Sequence, residues 1–264
     1  MTTLERIIAA KRKELPVNME KSPVRMLEGM PGFTRNTVSL TQALLDRERT
    51  GIIAEFKRKS PSGGVLNAYA TVEEVTTGYF RAGASALSVL TDADFFGGSA
   101  EDLIRAREIN PIPILRKDFI IDEYQVVETK AIGADVVLLI AAALDTRQII
   151  NLSRFARSLG LQVLLEVHQP AELDHLNEYV SMVGVNNRDL NTFTVDTELS
   201  VRMAHEIPPE FVKISESGIT SPLTIKKLKG CGYQGFLIGE NFMRTPEPVL
   251  AFSNFVKLLL FDHD

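Results

Sequence analysis

The stretch GIIAEFKR, residues 51–58, is the first of eight short apolar runs that end in small or polar residues. These runs alternate with segments of helical periodicity, and eight strand–helix repeats are typical of a (β/α)8 barrel. The other runs are ALSVLT from Ala86, PIPILRKDF from Pro111, DVVLLIA from Asp135, QVLLEVH from Gln162, MVGVNNR from Met182, VKISESG from Val212 and GFLIGE from Gly235. We therefore predict an α/β protein, a TIM barrel with its active site at the C-terminal strand ends.

Composition narrows the class of protein. The chain has 264 residues, 45% of them hydrophobic, which suits one barrel with an extension. Its net charge of −5, without a basic block, argues against nucleic acid as a partner. The single cysteine, Cys231, and the scattered histidines give no metal-ligand pattern, so we expect no metal and no cofactor. Without an apolar run of about 20 residues or a secretory leader, we expect a cytoplasmic protein that does not enter membranes.

We expect residues 1–264 to form a single barrel domain, with residues 1–50 as an N-terminal helical extension. Its first helix has Thr2 or Thr3 as cap, and residues 11–13 are expected in solvent. Residues 16–35 contain three prolines and are predicted to be a connector, and a second short helix follows from Ser39. The extension either plugs the bottom of the barrel or covers its mouth, and both alternatives stay open.

The polar residues at the strand ends are the candidates for chemistry. Glu55 and Lys57 are two residues apart, so both face the side of the strand that Ile53 faces, predicted to be the barrel interior. Such a pair is either a structural ion pair or an acid–base pair with mutually tuned pKa values. The same parity predicts that Glu216 points away from the barrel interior. It predicts five further side chains that point inward: Lys117, Glu166, Asn186, Arg188 and Ser217.

Small residues follow the last two runs. Ser217-Gly218 and Gly239-Glu240 precede predicted helices, so their backbone N–H groups could bind an anion at the usual phosphate site of such barrels. Glycines there could instead serve tight packing. The loop of residues 60–64 could close over a ligand. The residues alone thus predict a phosphate-binding acid–base enzyme.

Six motifs closely resemble those of the indole-3-glycerol-phosphate synthase family, over nearly the whole chain: IIAEFKRKSPSGG, LRKDFII, LLEVH, GVNNRDL, SESGI and LIGENFM. The resemblance implies ring closure, decarboxylation and dehydration of 1-(2-carboxyphenylamino)-1-deoxyribulose 5-phosphate to indole-3-glycerol phosphate, in tryptophan biosynthesis. It implies a small phosphorylated anthranilate-derived substrate as the partner. We expect a monomer, which could associate loosely with other tryptophan-pathway enzymes.

The resemblance also implies roles for individual residues. Lys117 is the acid that protonates the ketone oxygen, and a neighbouring cation such as Lys57 would lower its pKa. Glu166, Lys57 and Glu55 are the candidates for the acid and the base of the dehydration, and the division of these roles among them stays open. Glu216 supports Lys57 or Asn186. The implied binding residues form three groups: Asn186 and Ser217 for the hydroxyls or carboxylate; Ser60, Gly218, Gly239 and Glu240 for the phosphate, with Arg188 as a local cation; and Phe96, Phe119 and Leu138 for the aromatic ring. Glu240 stands where some members have serine.

Three other functions fit the residues less well. A Schiff-base aldolase would use Lys57 or Lys117 as the nucleophile. A phosphosugar isomerase needs only one acid and one base, fewer groups than this mouth offers. A non-catalytic phosphate-binding barrel would need none of the charged set at the strand ends.

Overall fold

A computed structural model of the chain describes residues 1–61, 63–190 and 192–261. The strands are β1 (Ile52–Phe56), β2 (Lys59–Ser60), β3 (Gly64–Val65), β4 (Ala86–Leu90), β5 (Ile114–Lys117), β6 (Val136–Ile140), β7 (Gln162–Val167), β8 (Met182–Asn186), β9 (Val212–Glu216) and β10 (Gly235–Ile238). All except β2 and β3, a small antiparallel pair, are parallel and close into a barrel in the order β1-β10-β9-β8-β7-β6-β5-β4. Each predicted run is a barrel strand, so the predicted (β/α)8 fold is confirmed.

Several helices begin directly after a residue whose side chain caps them. Thr71, Asp122, Asp145 and Ser221 each precede a helix and accept a backbone N–H of its first turn. No helix in the described ranges is long and apolar enough to span a membrane. The helices are α1 (Thr3–Lys21), α2 (Val24–Glu28), α3 (Pro31–Thr34), α4 (Leu40–Leu45), α5 (Val72–Arg81), α6 (Ala100–Ile109), α7 (Glu123–Ala131), α8 (Thr146–Ser158), α9 (Glu198–Met203), α10 (Pro222–Gly230), α11 (Glu240–Met243) and α12 (Pro248–Phe261). Between β7 and β8, Pro170–His175 forms a 3-10 helix.

Alternate residues of the strands form two apolar layers. The larger layer packs the outer faces of the strands against the helices. The smaller layer fills the barrel and includes Ile53, Leu115, Leu164 and Ile214. Because Ile53 lies inside, Glu55 lies inside as well, as the strand parity predicts.

The N-terminal extension closes both ends of the barrel. Leu40 and Leu44 of α4 belong to the apolar layer inside the barrel, and Gln162 at the start of β7 accepts the backbone N–H of Leu40. At the other end, Leu4 and Ile7 of α1 line the cavity at the mouth. The two alternatives for the extension therefore both hold, each for a different helix.

Helix α1 is held over the mouth by a buried lysine. Lys11 is not in solvent as expected: its Nζ lies 3.0 Å from Asp92 Oδ2 and 3.0 Å from Asp118 Oδ1. Burial alone would lower the pKa of Lys11, but the carboxylates of Asp118 and Asp92 outweigh that effect and raise it. These aspartates follow β5 and β4, so the ion pairs connect α1 to the two loops.

The predicted connector of residues 16–35 is largely helical, because α1 continues to Lys21 and the short helices α2 and α3 follow. Pro16 lies on the exposed side of α1. The hydroxyl of Tyr124 in α7 lies 2.9 Å from the carbonyl oxygens of Asn18 and Ser22. This contact holds the last turn of α1 against α7.

We predict that Lys11→Met lowers the free energy of unfolding by about 3 kcal/mol, because it leaves buried carboxylates without a counter-charge. Urea denaturation measures the change. Lys13→Met on the exposed side of α1 is the matched control and should stay within about 0.5 kcal/mol of the parent. Equal stabilities of the two variants would contradict this role of Lys11.

Candidate active site

A cavity opens at the C-terminal strand ends beneath α1 and brings the predicted residues together. Gly218 and Gly239 line an adjoining cavity, which shares Ser217 and Glu240 with the first. The predicted residues that line the first cavity are Glu55, Lys57, Ser60, Phe96, Lys117, Phe119, Leu138, Glu166, Asn186, Arg188, Glu216, Ser217 and Glu240.

Lys117 lies at the centre of the charged groups. Its Nζ lies 2.6 Å from Glu166 Oε2 and 3.4 Å from Glu216 Oε2. Asn186 Nδ2 donates a hydrogen bond of 3.1 Å to the other oxygen of Glu166, Oε1. The ends of β5, β7, β8 and β9 thus meet at one ammonium group.

The electrostatics of Lys117 differ from the expectation. Burial alone would lower its pKa, but the carboxylates of Glu166, Glu216 and Glu55 outweigh burial and raise it. The expected lowering by Lys57 is wrong for the free protein, because Lys57 Nζ lies 2.8 Å from Glu55 Oε1 and is compensated there. Lys117 is therefore a charged ammonium group at neutral pH.

The prediction that Glu216 points away from the barrel interior is wrong, because its side chain points into the barrel. Val212 and Ile214 share its parity and belong to the apolar layer inside the barrel. Ser217 comes after the last residue of β9 and has a φ of 67°, outside the extended region. Parity therefore ends at Glu216, and both residues line the cavity although they are adjacent in the chain.

The two carboxyl groups beside Lys117 have opposite pKa shifts. Burial raises the pKa of Glu216 to about 8; Lys117 opposes this, while Glu166 and Glu55 add to it. Burial would also raise the pKa of Glu166, but Lys117, His168 and the Asn186 amide lower it. The two carboxyl groups therefore ionise in separate steps, Glu166 at the lower pH and Glu216 at the higher pH.

Two glycines make room for carboxylates, and sequence analysis missed one of them. A Cβ atom on Gly184 of β8 would lie 2.2 Å from Glu216 Oε1, so any side chain there displaces that carboxyl group. A Cβ on Gly239 would lie 2.6 Å from Glu55 Oε1. Gly184 sits inside an apolar strand, where a glycine signals a close approach of another group.

One wall of the cavity is apolar and the opposite side carries the small residues. The rings of Phe96 and Phe119 have centroids 5.9 Å apart, and Leu138 lies on the same wall. Asp92 accepts the backbone N–H groups of Phe95 and Phe96, so it caps this loop besides its ion pair with Lys11.

The side near β9 and β10 combines a carboxylate with two arginines. Glu240 Oε2 accepts a hydrogen bond of 3.1 Å from Arg188, and Oε1 lies 2.5 Å from Arg244 Nη2. Arg244 was missed, although its position four residues after Glu240 on a helical segment is a recognisable signal. The arginines offset the negative charge of Glu240 beside the residues that are predicted to bind the phosphate.

The fold and this site define a class: a (β/α)8 barrel enzyme with acid–base groups at its mouth and a neighbouring anion-type subsite. Residues 4–255 match the model of the family described as indole-3-glycerol phosphate synthase. A relative of that name from Bacteroides thetaiotaomicron is 47% identical over 256 residues, 97% of this chain and 98% of the relative. Another from Polaromonas naphthalenivorans is 42% identical over 252 residues, 94% and 96% of the two chains.

The chain belongs to the indole-3-glycerol phosphate synthase family. Its activity is that of a decarboxylating lyase in tryptophan biosynthesis, and a small phosphorylated substrate is consistent with the family. Among solved structures, 3-hexulose-6-phosphate synthase from Salmonella typhimurium matches with a TM-score of 0.60 and 16% identity, over 81% of this chain and 100% of that chain. This likeness shows the barrel fold alone.

We predict that Gly184→Ala lowers kcat by about a hundredfold, because displacement of Glu216 disturbs its contact with Lys117. Turnover assays measure it, and Gly230→Ala is the control, since a Cβ there meets nothing within 4 Å. Gly184→Ala should also lower Tm, and adding Glu216→Ala should remove most of that loss. An equal loss of Tm in the Glu216→Ala background would contradict the clash.

The raised pKa of Glu216 makes folding stability depend on pH. In the unfolded chain this carboxyl ionises near its ordinary value of 4.5, whereas in the folded protein it stays protonated to about pH 8. The folded state binds more protons in this window, so this contribution to stability falls as pH rises through it. The side chain in Glu216→Gln cannot ionise. We therefore expect the Tm of this variant, relative to that of the parent, to rise as the pH increases through this range. A constant difference in Tm would contradict the shift.

Proposed function

We propose that the cavity at the mouth binds 1-(2-carboxyphenylamino)-1-deoxyribulose 5-phosphate with its ketone oxygen at Lys117. The observation that carries this proposal is the position of the Lys117 ammonium, between the apolar wall and the subsite near β9 and β10. In this orientation the aromatic ring packs on Phe96, Phe119 and Leu138. The phosphate binds the backbone N–H groups near Gly218 and Gly239, beside Arg188, and Ser60 reaches it from the loop after β1.

Lys117 is the acid for ring closure. The ring carbon that bears the carboxylate attacks the ketone carbon, and the ketone oxygen becomes an alkoxide. An alkoxide is more basic than a lysine amine, so proton transfer from Lys117 is favourable despite its raised pKa. Glu166 holds the ammonium in place at 2.6 Å, and Asn186 orients Glu166. Loss of carbon dioxide then restores the aromatic ring.

Glu55 and Lys57 serve the dehydration. This step needs an acid for the leaving hydroxyl group and a base for the proton that is lost. Lys57 Nζ and Glu55 Oε1, 2.8 Å apart, supply both groups at a second point of the cavity. Gly239 allows Glu55 to reach this position. Two separate ion pairs, Lys117–Glu166 and Lys57–Glu55, thus divide the two proton-transfer steps between them.

Schiff-base chemistry is less well supported by the same contacts. An aldolase lysine must be a neutral amine to attack a carbonyl group. The carboxylates around Lys117 raise its pKa and favour its charged form. Lys57 Nζ is engaged in an ion pair with Glu55 Oε1 at 2.8 Å. We further expect the protein to act as a cytoplasmic monomer.

We predict that Lys117→Ala abolishes turnover, because the alkoxide then has no proton donor, while substrate affinity stays within about tenfold, or ~1.4 kcal/mol. Indole fluorescence follows turnover of the carboxyphenylamino substrate, and titration with substrate measures affinity. Lys13→Ala, on the exposed side of α1, is the control and should retain activity. Full activity of Lys117→Ala would remove Lys117 as the acid.

A further inference from the structure

In the described part of the chain, every cation that lines the subsite near β9 and β10 already has a carboxylate partner. These cations are Lys57, Arg188 and Arg244. Lys57 is paired with Glu55, and both arginines are paired with Glu240. A phosphate group placed among these pairs is attracted by the cations and repelled by the carboxylates. Its binding therefore favours the opening of one of the pairs.

The pairs of Glu240 open at a lower cost than the pair of Lys57. The side chains of Lys57 and Glu55 are 13% and 5% exposed, so their separation would leave charges with little access to water. Glu240 is 22% exposed, and Arg244 is 54% exposed. Water therefore solvates Glu240 and Arg244 when they move, and the contact between Glu240 and Arg188 is the one that gives way.

Arg188 has anchors other than Glu240. Its backbone forms a β-bridge with Val195, and its backbone N–H donates a hydrogen bond to Asn186 Oδ1. Its Nη1 donates a hydrogen bond of 3.4 Å to the carbonyl oxygen of Phe193, which has a φ of 58°. Such a φ is uncommon for a bulky residue, so this loop is held in a defined conformation. The guanidinium group therefore keeps its place when Glu240 leaves Nη2.

Arg244 provides a second place for the carboxylate of Glu240. Glu240 is the first residue of α11 and Arg244 directly follows the last, so the two side chains are neighbours four residues apart. A Cβ atom on Gly63 would lie 2.8 Å from Arg244 Nη2, so the loop after β1 lies against the arginine. Arg244 thus remains beside Glu240 after the carboxylate has left Arg188.

We propose that Glu240 competes with the substrate phosphate for Arg188 and is retained by Arg244 while the phosphate is bound. This inference rests on the proposed function and deepens it. Oε2 of Glu240 gives up its contact with Arg188 Nη2, and a phosphate oxygen takes its place, while Oε1 keeps its contact with Arg244. Glu240 returns to Arg188 as the product leaves. The carboxylate therefore weakens phosphate binding, and Arg244 limits that weakening.

The test measures the dissociation constant of inorganic phosphate by isothermal titration calorimetry. Glu240→Gln keeps the shape of the side chain and removes the competing charge, so phosphate should bind about fivefold more tightly, or more, as expected for directly coupled groups. Arg244→Gln leaves Arg188 as the partner of Glu240, so phosphate should bind about threefold more weakly, or more. These opposite signs separate the exchange from general damage to the site, which would weaken binding in both variants.

Glu247→Gln is the matched control for a simple change of net charge. Glu247 is exposed and lies three residues beyond Arg244. Its charge is screened by solvent, so phosphate affinity should stay within about twofold of the parent. An effect in Glu247→Gln as large as that in Glu240→Gln would overturn the exchange.

The double variant tests whether Arg244 acts through Glu240. In the Glu240→Gln background no carboxylate needs to be retained, so adding Arg244→Gln should change phosphate affinity by about twofold or less. A loss that persists in full in this background would show that Arg244 binds the phosphate itself, and it would overturn the exchange. Phosphate binding to Glu240→Gln that is no tighter than to the parent would overturn it as well.

Turnover provides a readout that separates this inference from the proposed function. KM for the carboxyphenylamino substrate should fall in Glu240→Gln and rise in Arg244→Gln, with smaller changes in kcat, because the exchange acts on binding. Product formation with equal KM values in the parent and both variants would overturn the exchange alone. Absence of product from the parent protein would instead overturn the proposed function.

Discussion

The buried charges at the barrel mouth must balance, and the rest of the site depends on that constraint. Two ammonium groups, Lys57 and Lys117, face three carboxyl groups, Glu55, Glu166 and Glu216. An uncompensated charge in such a place costs several kcal/mol. Burial raises the pKa of Glu216, and the surplus of negative charge from Glu166 and Glu55 adds to this effect. Glu216 is thus the carboxyl group of the three that the site holds least readily in its ionised form.

The end of β5 carries both a residue of this charged group and a residue that binds α1, the helix over the mouth. Lys117 points into the barrel, whereas its neighbours Arg116 and Asp118 point outward. Asp118 is held by Arg116 and Thr91 on that outer side and binds Lys11 of α1. The alternation of a single strand therefore lets one segment position the acid and the cover at the same time. A shift of this strand end would disturb both.

Strand parity explains how much of the site the sequence could predict. It placed Glu55, Lys117 and Glu166 on the inner face because each lies within or directly after a regular strand. It failed at Glu216, because the count started from Ser217, where the backbone has already left the strand. Lys11 could not be recognised from the sequence either, since both of its aspartate partners come from distant loops. Its position in the chain resembles that of any solvated helix lysine.

The same excess of carboxyl groups bears on the decarboxylation. The substrate brings a further carboxylate to a mouth where burial, together with the charges of Glu166 and Glu55, already raises the pKa of Glu216. Loss of carbon dioxide removes that negative charge, so the site disfavours the carboxylated reactant relative to the decarboxylated intermediate. In the proposed orientation the phosphate stays at the opposite side, near Arg188 and Arg244, so affinity and decarboxylation would depend on different parts of the mouth.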